Sequence, residues 1–258
     1  MNGALPDLSP LDLETDPKGC CARLYESDAV RWLLDDRLHP GGERLTLRLA
    51  QLAGVSSGAR VVDVACGSGA TALILARQFG CEAVGVDLGA RAIAQARRAA
   101  RADERVSFVV GDAEALPLPD AGFDVALSEC SLCTFPDKPR AIADVTADLD
   151  ALPAALRTAA AQVACVADAR SVEEYVALLR DAGCEPLAIE AHDAELRAMA
   201  DRVEARLRVA RMVAPPGEQR ERIREAATLA RMAIEAIARG SLGYVLITAR
   251  VSGSHPAG

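Results

Sequence analysis

The spacing of apolar and polar positions divides this chain into stretches of helical period and short apolar runs. After an irregular arm over residues 1–19 that carries Pro6, Pro10 and Pro17, apolar positions Leu24, Val30, Leu33 and Leu34 predict a helix over 21–36. The segment HPGG at 39–42 stops it, and ERLTLRLAQLAGV predicts a second helix over 43–54. From Gly58 onward, apolar runs bounded by turn residues predict strands at 59–65, 82–87, 106–111 and 123–129. Helical stretches over 71–80 and 90–103 separate the first three of them. Strand, helix, strand, helix, strand is the βαβ alternation of a doubly wound, mostly parallel sheet with right-handed crossovers.

Past the fourth strand the pattern changes. Residues 136–145 and 146–169 read as helix, and between Leu127 and Leu179 there is no β-rich run flanked by turns. A helix over 171–183 and a strand over 184–193 follow. Leu196, Met199, Val203, Leu207 and Val213 then form an apolar stripe at three- and four-residue steps over 194–213. PPG at 215–217 interrupts it, a further helix runs to about Ala238 before Gly240, and 241–251 reads as a final strand. The expected fold class is α/β, with a helical insertion before the last strand and the fifth strand missing. The last two strands are expected to pair antiparallel around that insertion.

Composition narrows the function classes. The hydrophobic fraction is 51% and the charged fraction 26%, enough for a packed core; aromatics are only 3%, so aliphatic side chains fill it. A net charge of −8 argues against binding a phosphate backbone, so no nucleic-acid partner is expected. There is no apolar run of about eighteen residues, and the N-terminus lacks a basic region followed by an apolar core, so neither a membrane span nor a signal peptide is expected. The expected location is the cytoplasm, where a disulfide framework among the eight cysteines is not expected. Cys66, Cys81 and Cys184 lie among apolar residues and read as packed small hydrophobes. Cys20, Cys21, Cys130, Cys133 and Cys165 remain as candidates for chemistry.

The strongest local signal is VVDVACGSGATALILA, a strand running through Asp63 into a turn with Gly67 and Gly69 and then a helix. Glycines allow the sharp turn and a close backbone approach, and the helix start offers unpaired N–H groups. The dinucleotide fingerprint GxGxxG is absent, because Ala72 stands at its third glycine. Asp87, ending the second strand, can accept both hydroxyls of a ribose. Asp112 ends the third strand, where its carboxylate can accept from an adenine amine and the Ala113 N–H can serve a ring nitrogen. Together they suit one ligand stretched along the strand ends as amino acid, ribose and adenine.

With VGVDL, VVGDAEALPLPDAGFDVAL and the closing LGYVLITARV, these motifs resemble the class I S-adenosylmethionine-dependent methyltransferases over roughly residues 58–251. The resemblance implies S-adenosylmethionine as cofactor. Gly67 and Gly69 would flank its methionine part, with Asp63 orienting the loop; Asp87 would hold the ribose, and Asp112 and Ala113 the adenine. It divides the chain into an N-terminal arm and lid (1–57), a cofactor-binding domain (58–193), a helical cover (194–240), the last strand (241–251) and a tail (252–258).

A narrower stretch, SECSLCTFPDKPRAI, is similar to the segment after the fourth strand of arsenite methyltransferases, where a serine–acid pair, here Ser128–Glu129, precedes a cysteine. Glu129 joins the expected cofactor residues. By the same resemblance Cys130 and Cys165 would be metalloid ligands, with Cys20 or Cys21 as the third; Cys133 has no counterpart. The turn and most of the fifth strand of that family are missing where Ala143 runs into Asp144, Val145 and Thr146.

Methyl transfer from a sulfonium needs an in-line nucleophile and, for oxygen or nitrogen acceptors, a base. The three histidines are His39, His192 and His255, and only His39, beside the two glycines of HPGG, is placed like a lid residue. Arsenic held by thiolates would need no base, because it keeps a lone pair. The expected partner is a small-molecule or metalloid substrate, with a thiol reductant for the latter. The competing readings are a small-molecule O-, N- or C-methyltransferase with incidental cysteines, and a non-catalytic cofactor-binding or interaction protein. An NAD-type dehydrogenase is disfavoured by the missing third glycine. Sequence leaves the oligomeric state open.

Overall fold

The computed structural model describes residues 28–34, 39–101, 103–131, 142–160, 166 and 169–252. Its first half is the predicted alternation. Strands β1 (Arg60–Val64), β2 (Glu82–Asp87), β3 (Val106–Val110) and β4 (Val125–Leu127) form a parallel sheet in the order β3-β2-β1-β4. Before it lie helices α1 (Asp28–Leu34) and α2 (Glu43–Leu52). Helices α3 (Ala70–Phe79) and α4 (Ala90–Ala100) make the crossovers from β1 to β2 and from β2 to β3. The central strand β1 is buried along most of its length, as its near-continuous apolar run requires of a strand covered on both faces.

The second half corrects the expectation of a missing fifth strand. Residues Ile142–Ala147 form β5, which pairs antiparallel with β7 (Leu242–Val251) over the register Ile142↔Ile247 to Ala147↔Leu242. On its other side β7 pairs antiparallel with β6 (Cys184–Ala191), as expected for the last two strands. The order is β5-β7-β6, and no hydrogen-bonded ladder joins β4 to β5 among the described residues. The helix read over 136–145 is therefore strand from Ile142, and its earlier part lies outside the described residues. The long helix read over 146–169 is shorter: β5 runs to Ala147, and α5 spans Ala154–Ala160. In IADVTA the β-branched Ile142, Val145 and Thr146 are interrupted by Ala143 and Asp144, so the local signal is short; pairing with a buried partner strand makes the segment a strand.

The strand β7 shows why. Tyr244 and Leu246 project into one core with Leu45, Leu49, Val61, Leu127 and Ile237, whereas Val245 and Ile247 pack in another with Tyr175 and Leu179. The two-residue period gives each face its own set of apolar side chains. Tyr175 and Leu179 belong to α6 (Val172–Asp181), whose first turn is closed by a capping box between Ser171 and Glu174. Two antiparallel helices, α7 (Asp193–Val213) and α8 (Glu218–Ala238), fill the insertion before β7. The stripe read from sequence is used only in part: Leu207 is buried and Leu196 and Val203 pack inward, but Val213 is exposed. Cys66, Cys81 and Cys184 are buried as small apolar side chains.

Candidate functional site

The turn from β1 into α3 is built on backbone of the left-handed kind. Ala65, Gly67 and Gly69 have φ of 61°, 53° and 81°. At Gly69 the need for glycine is doubly set, because a Cβ there would lie 2.5 Å from ring atoms of Phe108 and 2.9 Å from Cβ of Ala96. The same ring crowds Gly85 on β2, where a Cβ would meet it at 2.6 Å and Cys66 Sγ at 2.7 Å. The glycines thus let the loop settle onto Phe108, a role in packing that sequence alone did not reveal.

Acids hold the loop in place. Gly69 is the N-cap of α3 and has no side chain to cap it. The Ala72 N–H in that first turn instead donates to Asp63 Oδ2 at 3.2 Å, so a carboxylate from β1 caps the helix from below. Asp63 is fully enclosed: burial, and secondarily the charge of Glu129, holds its carboxyl well above the usual carboxylate range, while the Ala72 N–H opposes that shift. Asp87 receives the Gly67 N–H at 2.8 Å on Oδ2 and the Gly89 N–H at 2.7 Å on Oδ1. Each carboxylate oxygen has two lone pairs, so one such bond does not by itself exhaust it. Asp112, past β3, receives the Glu114 N–H at 3.0 Å, and Ala113 beside it packs against the Tyr175 cluster.

Glu129 follows β4, with its carboxylate almost buried. Thr71, in the first turn of α3, donates its hydroxyl to Oε2 at 2.7 Å, and Thr46 of α2 lies 3.1 Å from both carboxylate oxygens. His39 places Nδ1 3.8 Å from Oε1. Neither threonine was singled out in the sequence; the available signal was Thr46 standing inside the apolar stripe of its helix, between buried Leu45 and Leu49. Cys130 has φ of 50°, and its Sγ lies 3.7 Å from the hydroxyl of Tyr244, a third residue that the sequence alone does not mark. Burial holds that phenol protonated, well above its ordinary range, with the nearby Cys130, Glu129 and Asp144 acting in the same direction.

The structure therefore gathers Asp63, Gly67, Gly69, Asp87 and Glu129 around one turn, with Asp112 and Ala113 at the next strand end. Of the expected metalloid set only Cys130 is described; Cys20, Cys21 and Cys165, like the unassigned Cys133, lie outside the described residues. Among the described residues no group of three or more His, Cys, Asp or Glu is arranged to hold a metal ion. Nor is any described helix long and apolar enough to cross a membrane.

Residues 61–151 match a family described as a methyltransferase domain. The 27-O-demethylrifamycin SV methyltransferase of Amycolatopsis mediterranei is 35% identical over 167 residues, 57% of this chain and 61% of that protein. The chain spans from 45% to 62% of the length of three curated relatives that it matches. Among solved structures, the phosphoethanolamine N-methyltransferase 2 of Haemonchus contortus, in complex with S-adenosyl-L-methionine, aligns with a TM-score of 0.73 at 17% identity, covering 92% of this chain and 60% of that one. The [4+2]-cyclase SpnF aligns with a TM-score of 0.69 at 23% identity, covering 90% and 96%. The chain has the class I S-adenosylmethionine-dependent methyltransferase fold, with its mostly parallel sheet and antiparallel last strand.

Proposed function

We propose that this chain is an S-adenosylmethionine-dependent methyltransferase of a small organic molecule. The observation that carries the reading is the ring of carboxylates at the β1 turn. Asp87 and Glu129 are acceptors and negative charges gathered beside the buried Asp63, where a helix also begins. A ligand bearing positive charge, a pair of ribose hydroxyls and an adenine amine fits that donor and acceptor set. Asp87 would hold the ribose, Asp112 and the Ala113 N–H the adenine, and the Gly67–Gly69 turn with Glu129 the methionine part. When bound, the cofactor supplies an already activated methyl group on a sulfonium. The protein's part is then to hold an acceptor in line, exclude water and, for a protonated acceptor, take up a proton. The organic acceptor class is supported by curated relatives whose names specify organic acceptors, among them the demethylrifamycin enzyme and a norajmaline N-methyltransferase.

Isothermal titration with S-adenosylmethionine and with its demethylated product tests the reading. Both should bind the wild type, and Asp87→Ala should weaken binding by about 1.5–3 kcal/mol, the range for hydrogen bonds to a charged group. A folded wild type that binds neither overturns it. Because SpnF shares the fold but is a [4+2]-cyclase, transfer of labelled methyl must be measured as well as binding.

A second reading keeps the metalloid acceptor, with Cys130 and Cys165 as ligands and Cys20 or Cys21 as the third. It draws on the place of Cys130 just past β4, beside Glu129 of the same ring. Methylation of arsenite in excess thiol, abolished in Cys130→Ser, would favour it; organic turnover undiminished in Cys130→Ser would exclude it.

A further inference from the structure

The geometry points to His39 as the base of the reaction, with Glu129 as its positioning residue and a hydroxyl as the methyl acceptor; we propose this as a refinement that rests on the methyltransferase reading above. His39 sits on the HPGG turn that leads into α2, with its ring largely shielded. Two acceptors face Nδ1: the carbonyl oxygen of Pro40 at 3.2 Å and Oε1 of Glu129 at 3.8 Å. A nitrogen that faces two acceptors carries the proton, and the neutral imidazole then presents Nε2 as its lone-pair nitrogen. A carboxylate behind Nδ1 also stabilises the imidazolium that forms when Nε2 takes a proton, the logic of a carboxylate-oriented histidine base.

Glu129 is itself anchored. Its hydrogen bonds from Thr46 and Thr71 tie α2 and the first turn of α3 to one carboxylate. The histidine is thereby referenced to the turn that would hold the methionine part of the cofactor. Two residues beyond His39, Gly41 and Gly42 line an open cleft of about 220 Å³, with Arg44, Ala198 and Arg202 on its walls. The HPGG turn therefore turns His39 toward Glu129 and gives its two glycines to the wall of an open cleft.

This arrangement selects among acceptors. A neutral amine attacks with its own lone pair and sheds a proton afterwards, whereas a neutral hydroxyl is a poor nucleophile until its proton is being removed. In the step we assign, the acceptor O–H bond breaks and its proton goes to Nε2. The acceptor oxygen forms the new bond to the methyl carbon, and the electrons of the broken sulfur–carbon bond stay on sulfur. The imidazolium then returns the proton to water. General-base assistance of this kind contributes about 10²- to 10⁴-fold.

Two measurements on the full chain test it. In the first, long-range ¹H–¹⁵N spectra of uniformly labelled protein, with the His39 signals identified by their loss in His39→Gln, report the tautomer without any cofactor. The Nδ1–H form should dominate, and Glu129→Gln should shift the His39 resonances toward a tautomer mixture. A dominant Nε2–H form, or resonances indifferent to Glu129→Gln, overturns the positioning. In the second, labelled S-adenosylmethionine is offered with catechol and hydroquinone as probes, and with aniline as the amine control. Phenol methylation should fall at least 100-fold in His39→Ala, with cofactor affinity changed less than threefold and turnover partly restored by added imidazole. Undiminished turnover in His39→Ala overturns the proposal, as does methylation of aniline alone or cofactor binding with no phenol turned over. A wild type that fails to bind the cofactor refutes instead the methyltransferase reading, and the tautomer measurement still judges the placement of His39.

Discussion

Replacing Gly69 with alanine puts a methyl group 2.5 Å from Cε1 and Cζ of Phe108 and 2.9 Å from Cβ of Ala96, at a φ of +81°. Two costs are combined there. A side chain in the left-handed region costs about 1–2 kcal/mol, and forcing extra atoms into a packed interior costs about 1–3 kcal/mol. Gly69→Ala should therefore destabilise the protein by about 2–5 kcal/mol. Gly85→Ala separates the two terms. Its Cβ strikes the same ring at 2.6 Å and Cys66 Sγ at 2.7 Å, but its φ is not in the left-handed region. It should cost about 1–3 kcal/mol from crowding, reduced by up to about 1 kcal/mol because alanine loses less backbone freedom on folding. Shortening the ring by Phe108→Leu should relieve the crowding in either background and leave the φ cost of Gly69→Ala in place. Urea unfolding with linear extrapolation reads all these variants on one scale. The reasoning fails if Gly69→Ala is within about 0.5 kcal/mol of wild type, or if Gly85→Ala is the more damaging of the two.

Two further predictions concern ionisation. Asp63 is held protonated above the usual carboxylate range by burial and the charge of Glu129, so the native state binds its proton more tightly than the unfolded chain does. The resulting stability is fully present below the unfolded value of about 3.9 and is lost as pH rises through the native one, by about 1.4 kcal/mol for each tenfold displacement of the protonation equilibrium. Asp63→Asn keeps an acceptor for the Ala72 N–H and should remove this slope from urea midpoints taken between pH 5 and 9; an unchanged slope would count against it. Burial raises the Cys66 thiol, with Asp63 and Asp87 adding to the effect, and burial likewise raises Cys81. Iodoacetamide at pH 8 should leave both unmodified in the native protein and modify both in guanidinium, as peptide mass spectrometry would show; rapid native labelling of Cys66 would contradict its burial.

The doubly wound half of the fold was legible in the sequence because its elements carry their own signals. Apolar runs such as VVDV and AVGV are bounded by turns, and the acids Asp63, Asp87 and Asp112 stand at strand ends where a parallel sheet must present them. The periods of two and near four are local properties, readable without knowing what packs against them. β5 was not legible. Its residues IADVTA set a fully buried Asp144 and two alanines among Ile142, Val145 and Thr146, and they become a strand by pairing with β7 across six register positions. The roles of Gly69 and Glu129 were also decided only in three dimensions. The first packs against Phe108 from β3, and the second collects a hydroxyl from each of two helices and faces a histidine ninety positions away in the chain. Residue type announces that a glycine or an acid can do such work. Which partners it meets depends on contacts between segments distant in sequence, and those exist only once the sheet and its helices have packed.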